Sequence, residues 1–343
     1  MINIPDLTID NLEKYLFNIG AKKFRATQIL KWIYRFGVTD FSLMKNIDLN
    51  LRNVLKQTCE IKFPNIIKCL IDLDGTTKWL MKLSDGALIE TVFIPEKNRG
   101  TLCVSSQVGC LIGCKFCATG LLGFTRNLTI SEIIGQLWVA YIELSNVKIW
   151  KRDKITNVVF MGMGEPLLNY SNVVNAIKIM LDDDFYGLSK YSVTISTTGL
   201  IPELQKLKKD TEVAVAISLH APNDKLRNDL VPMNKKYPLS ELIDICNTYF
   251  NNKRRYIMIE YIMLDGVNDK IEHAKQLVKL LTFGKYKINL IPMNNVSAIN
   301  LSSTSISKIE FFRKFLIESG IHTSIRKSRG ENITAACGQL VGI

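Results

Sequence analysis

Nowhere does the chain contain the roughly 18 consecutive apolar residues that a membrane span requires, and its start, Met1-Ile2-Asn3-Ile4-Pro5-Asp6, lacks the basic stretch and apolar core of an export signal. A cytoplasmic protein without a membrane partner is the expectation. No internal repeat and no low-complexity tract is visible. The sequence holds 8 cysteines with nothing to direct export, which argues against a disulfide scaffold and in favour of metal-binding or catalytic thiols. Apolar residues make up 47% and charged residues 22%, a balance that excludes a disordered or fibrous chain. At 343 residues there is room for one barrel-sized domain with an appendage, or for two ordinary domains.

Lys and Arg outnumber Asp and Glu by 44 to 32, a formal charge of +12 that suits a polyanionic partner such as RNA or DNA. An AT-rich genome that enriches lysine would raise the charge without any binding role. Residues 8 to 58 carry helical periodicity in Leu12, Tyr15, Leu16 and Ile19, and again in Ile29, Trp32, Ile33 and Phe36. Lys22, Lys23, Arg25, Lys31 and Arg35 decorate these helices, either as a solvated face or as an RNA-contacting one. Between 61 and 95, short β-rich runs broken by Asp74-Gly75 and Asp85-Gly86 predict a three-stranded meander. The charged stretch Glu96 to Gly100 reads as a boundary.

From residue 101 strand and helix patterns alternate six times. Strands are expected near 102–105, 157–161, 192–196, 213–219, 256–263 and 288–291, with helices at 130–145, 171–182, 200–208, 239–250, 271–282 and 304–319. Parallel strands need crossover connections, so this alternation predicts an α/β fold: a partial (β/α)6 barrel with an N-terminal helical domain and a small β-meander. The expected division is 1–60 as a helical RNA-binding accessory domain, 61–95 as the meander, 96–326 as the barrel and 327–343 as a C-terminal tail. Loops after the C-terminal strand ends carry the chemistry of such a sheet.

The first of those loops reads Cys110-Leu111-Ile112-Gly113-Cys114-Lys115-Phe116-Cys117. Three thiolates at C-x3-C-x2-C spacing can take three corners of a cubane cluster and leave the fourth iron open. Structural zinc sites pair two C-x2-C knuckles, and no second knuckle is present. Ferredoxin runs use tighter spacing and a fourth ligand. Cys59, Cys69 and Cys246 sit in apolar surroundings and are assigned to packing.

This spacing after the first strand of a βα array resembles the radical S-adenosylmethionine (SAM) superfamily. Cys103 to Cys110 (CVSSQVGC), Gly162 to Pro166 (GMGEP), Ser218 to Pro222 (SLHAP) and Ala335 to Leu340 (AACGQL) resemble, more narrowly, the adenine C2 RNA methyltransferases that act on 23S ribosomal RNA and on transfer RNA next to the anticodon. The GMGEP form is closer to these than to the carbon 8 methylating enzymes on the same scaffold. Matches run from about residue 20 to the C-terminus.

The resemblance implies a [4Fe–4S] cluster on Cys110, Cys114 and Cys117, SAM bound by Gly164, Glu165, Ser196, Ser218, Leu219, His220 and Asn294, and a flavodoxin- or ferredoxin-like electron donor. It implies that Cys337 becomes S-methylated, that Cys103 is a second thiol forming a disulfide with it to release product, and that Glu90 is the proton acceptor. A monomer is expected. Arg326, Lys327 and Arg329 beside Cys337 are candidate RNA contacts. The proline and glycine usual after Asn294 are replaced by Asn295, Val296 and Ser297. A carbon 8 methyltransferase, and a metal-stabilised RNA-binding protein without turnover, are the rival readings.

Overall fold

The computed structural model describes residues 1–146, 155–250, 255–282, 284–294, 296 and 299–342. At the N-terminus, β1 (Ile2–Asn3) pairs in parallel with β2 (Cys59–Glu60), and between them run α1 (Ile9–Asn18), α2 (Arg25–Tyr34) and α3 (Leu49–Thr58). Thr8 and Asp48 start α1 and α3 by accepting the N–H groups of Asn11 and Leu51, donors that a helix start otherwise leaves unsatisfied. Leu12, Leu16, Ile29, Ile33 and Leu55 are fully buried, whereas Phe36 lies beyond the end of α2 and is exposed. Several cations of this region have protein partners: Lys31 pairs with Asp184 at 2.8 Å, Arg35 donates to the Asp183 carbonyl at 3.4 Å and Arg25 to that of Asn46 at 2.8 Å. Lys22 and Lys23 are exposed.

The meander forms as β3 (Asn65–Ile71), β4 (Thr77–Lys82) and β5 (Leu88–Glu96). Its two turns are closed by Gly75 and Gly86 at φ +82° and +90°, a region that favours glycine. The stretch expected to be a boundary is instead a tight hairpin: Glu96 pairs with Arg99, leading into β6 (Arg99–Cys103). A second hairpin, β7 (Gln107–Gly109) with β8 (Phe124–Asn127), frames the cysteine loop and the short α4 (Ala118–Leu121).

Strand and helix then alternate as α5 (Ile130–Asn146), β9 (Asn157–Phe160), α6 (Tyr170–Leu181), β10 (Val193–Thr197), α7 (Ile201–Asp210), β11 (Ala214–Ser218), α8 (Asp224–Leu230), α9 (Leu239–Tyr249), β12 (Ile257–Met263), α10 (Ile271–Leu281), β13 (Tyr286–Pro292), α11 (Ile306–Glu318) and β14 (His322–Ile325). Among the described residues one ten-stranded sheet runs β14–β13–β12–β11–β10–β9–β6–β5–β4–β3, parallel from β14 to β6 and antiparallel beyond. The parallel strands number seven rather than the six expected, because the short, mostly polar β14 extends the edge.

Side chains alternate between the faces of this sheet. Ile195, Ile217, Ile259 and Ile288 are fully buried under the helices. Ser196, Ser218, Glu260 and Ile291 face the other way and line cavities. Cys59 and Cys246 are buried as expected, but Cys69 is exposed, because it lies on the edge strand β3. No described helix is long and apolar enough to cross a membrane.

Candidate active site

The cysteine loop depends on a close backbone crossing. Gly109 sits at φ +74°, and a Cβ there would lie 1.9 Å from the Gly123 carbonyl oxygen, which accepts the Cys110 N–H at 2.9 Å. The Cys117 N–H closes the turn on the Cys114 carbonyl at 3.2 Å. All three thiols line one cavity. Burial pushes Cys110 up to about 12 and holds Cys114 well above the ordinary thiol range, with the neighbouring thiols adding to both shifts. A bound metal cation reverses that balance by deprotonating its thiol ligands. Among the described residues no three His, Cys, Asp or Glu side chains gather tightly enough to grip a single ion. Three thiols facing one cavity from a single loop fit the corners of a larger cluster.

Opposite them, Gly162 and Gly164 allow the end of β9 to press on its neighbours. A Cβ on Gly164, at φ +98°, would lie 2.5 Å from that of Gln107. Glu165 is 3% exposed, and burial raises its carboxyl. The carboxylate accepts the Thr198 N–H at 2.8 Å, the Thr198 hydroxyl at 2.9 Å and the Leu167 N–H at 3.1 Å, joining the ends of β9 and β10. Ser196 and Ser218 place their hydroxyls 3.4 Å apart at adjacent strand ends.

His220, at φ +60°, accepts the Ile262 N–H on Nδ1 at 3.1 Å, so its proton sits on Nε2. Burial, with Arg227 nearby, drops its pKa to about 3 and keeps the ring neutral. Leu219 does not line the cavity: its side chain is fully buried and its N–H donates to the Glu260 carbonyl.

Arg227, on α8, lies outside every pattern that the sequence singles out. It is fully buried, and its guanidinium donates to the carbonyls of Leu219, Thr198 and Ser218 and to Asn234 Oδ1, at 3.0, 2.7, 3.1 and 2.7 Å. It thereby fixes the ends of β10 and β11.

The C-terminal tail docks between the meander and the cysteine loop. Asn332 donates to Asp72 at 2.7 Å, Arg329 faces Asp74 at 3.6 Å, the Gly338 carbonyl accepts the Ala118 N–H at 2.8 Å and the Leu340 carbonyl accepts the Thr119 hydroxyl at 2.6 Å. A buried ion pair clasps both limbs. Lys78 lies 2.8 Å from Glu90, Lys78 also donates to the Thr334 carbonyl at 3.2 Å, and Glu90 accepts the Val341 N–H at 2.8 Å. Glu90 is thus occupied by the tail and lies outside the cavities that Cys337 lines.

Cys337, at the apex of the clasped segment, lines both the cysteine cavity and a neighbouring one shared with Cys103. Burial raises the Cys337 thiol, and Arg326 opposes the shift; Cys103 is pushed up to about 12 by burial. The expected disulfide between them is not formed, as all eight cysteines are free. Asn294 lines the neighbouring cavity, where it donates to the Cys337 carbonyl at 3.1 Å and accepts the Ser328 hydroxyl at 2.9 Å. The altered residues Asn295 and Ser297 fall outside the described residues. Arg326 and Arg329, expected to meet RNA, have protein partners in Glu260 and Asp74.

Lys78→Met leaves the Glu90 carboxylate buried without its cation. The expected loss is about 3–5 kcal/mol of stability, read as a lower denaturation midpoint, together with faster proteolysis of the tail. An unchanged midpoint would show that the clasp contributes nothing.

Residues 2–61 match the ribosomal RNA large subunit methyltransferase N-terminal domain, and residues 104–278 match the radical SAM superfamily. A radical SAM methyltransferase from Sphaerobacter thermophilus is 38% identical, with 100% of each chain covered and a TM-score of 0.92. A domain of pyruvate-formate lyase-activating enzyme from Bacteroides vulgatus ATCC 8482 (17% identity, 50% of this chain and 99% of that one, TM-score 0.39) is too distant to bear on function. So is Streptococcus suis SuiB bound to its precursor peptide SuiA (14%, 66% and 49%, TM-score 0.48). The chain belongs to the radical SAM superfamily and, within it, to the methyltransferases of the RlmN type, enzymes that use a [4Fe–4S] cluster and SAM. A binding protein without turnover is thereby set aside.

Proposed function

We propose that this enzyme methylates carbon 2 of an adenosine in 23S ribosomal RNA and in transfer RNA next to the anticodon, using Cys337 as the carrier of the methyl group. The observation that carries this reading is the position of Cys337, held between the cavity of the three loop cysteines and the pocket of Cys103. The match of residues 2–61 to a ribosomal RNA methyltransferase domain supports an RNA substrate.

Carbon 2 lies between two ring nitrogens and is electron-poor, so it does not attack a methyl sulfonium, and a carbon radical is required. When bound, the cluster and SAM supply the electron, the methyl group and the radical. Cys110, Cys114 and Cys117, which line one cavity, would hold the cluster. Gly164, Glu165, Ser196, Ser218 and His220 shape the adjoining space, while Leu219 and Asn294 act through their neighbours. Cys337 accepts the methyl group as a thiolate. Cys103 is the second thiol, beside Cys337, available for detaching the product. To act as proton acceptor, Glu90 must first release the Val341 N–H. A flavodoxin- or ferredoxin-like protein supplies the electrons, and the enzyme works as a cytoplasmic monomer.

The test is anaerobic reconstitution with iron and sulfide, turnover with SAM and unmodified RNA, and mass spectrometry of the digested nucleosides. 2-Methyladenosine is expected. 8-Methyladenosine alone would move the reaction to the other carbon, and no methylated adenosine would reject the reading.

A further inference from the structure

Below the cysteine cavity, towards the N-terminal strand ends, the sheet encloses a larger space of ≈ 730 Å³. Glu260 on β12 lies in the wall common to both. It is 4% exposed; Oε1 accepts the Asn289 amide at 3.0 Å, but Oε2 is buried with no hydrogen bond, and the Arg326 guanidinium stands off at 3.8 Å. A buried acceptor without a donor is costly unless a ligand supplies one. None of the steps above uses this group.

The larger cavity is of nucleoside scale. Tyr191 and Tyr256, both exposed, stand at its mouth with Arg255 and Lys327. The Arg255 guanidinium lies 5.4 Å from the Tyr191 ring centroid, and the Lys287 ammonium 3.9 Å from that of Tyr256. Aromatic faces beside cations are how proteins stack unpaired bases and meet their phosphates.

The geometry points to a base-reading site in which an extruded RNA nucleotide enters through this cavity and its exocyclic amine donates to Glu260, whose carboxylate Asn289 holds in place. This assignment rests on the carbon 2 chemistry proposed above and names the group that selects adenine. Adenine offers an amino group at position 6, where guanine offers an oxygen that a carboxylate repels. Burial pushes the Glu260 carboxyl up, and Arg326 pulls it back. A ribose hydroxyl of SAM is the other donor within the chemistry of this enzyme, and SAM affinity separates the two.

The experiment sets two RNAs in competition on the reconstituted holoenzyme, identical except that the target is adenosine or purine ribonucleoside, which lacks the amine but keeps the carbon 2 hydrogen. Wild type should favour adenosine in kcat/KM by about tenfold or more, the worth of one hydrogen bond to a charged group. In Glu260→Gln the preference should fall to about threefold or less, with SAM binding by equilibrium dialysis unchanged. If that variant loses its cluster, Glu260→Asp, which keeps the charge but draws it back, should lower the preference instead. No preference in wild type, or a full preference kept by the folded variants, overturns the assignment. A loss of SAM affinity with the preference intact gives Glu260 to the cofactor and also overturns it. If wild type methylates neither RNA, the carbon 2 reading fails first and this one with it.

Discussion

Replacing Cys337 with alanine should abolish RNA methylation while the iron–sulfur cluster stays in place. The sulfur is the proposed carrier of the methyl group, and removing a covalent nucleophile costs on the order of 10⁴-fold or more in rate. The contacts that hold this segment are made by main chain: Ala118 to the Gly338 carbonyl, Thr119 to that of Leu340 and Asn294 to that of residue 337 itself. The substitution leaves all of them intact. Cys337 sits deep in the cleft yet its side chain is reached by solvent through the cavities it lines, so deleting its sulfur should change stability by no more than about 0.5 kcal/mol. The check is iron content and visible absorbance beside a methyl-transfer assay. A variant that retains activity within about tenfold of wild type would remove Cys337 from the mechanism.

Cys114→Ala should have the opposite profile, with the cluster lost and activity lost with it. Cys114 is the most enclosed of the three loop thiols, 8% exposed, and no other cysteine lines their cavity except Cys337 on the tail. Iron and sulfide bound per chain should fall towards zero, and the cluster absorption band should vanish. Cys246→Ala is the matched control: it is also buried, at 5%, but packs under the sheet, so it should keep both metal and turnover. A Cys114→Ala protein that still held a full cluster would show that the three thiols are not its ligands.

What the sequence disclosed and what it hid divide along sequence distance. The Asp-Gly turns, the C-x3-C-x2-C loop and the six strand and helix alternations are local patterns whose consequences fall within a few residues, and each appears where expected. β14 escaped notice because His322 to Ile325 is four residues long and mostly polar, so no periodicity marks it. Arg227 and Glu260 escaped for a different reason: a lone charge in a helix or strand reads as solvent-facing, and only the fold reveals that both are buried. Cys69 misled in the reverse direction, since an apolar neighbourhood in sequence says nothing of a sheet edge. Glu90 carried a role by resemblance, but its partner Lys78 and its hold on Val341 depend on contacts that no local pattern records.

The bonds between the meander and the tail join residues 251 to 260 positions apart, at Glu90 with Val341, Lys78 with Thr334 and Asp72 with Asn332. Contacts that bridge so much chain carry the largest loop-closure entropy and are assembled after the local ones. Cys337 is therefore held in place by contacts of the costliest kind to close, on a tail seated against the rest of the scaffold. Any weakening of that last seam would disarm the enzyme while most of its architecture still stood, so potency here is a more fragile property than shape.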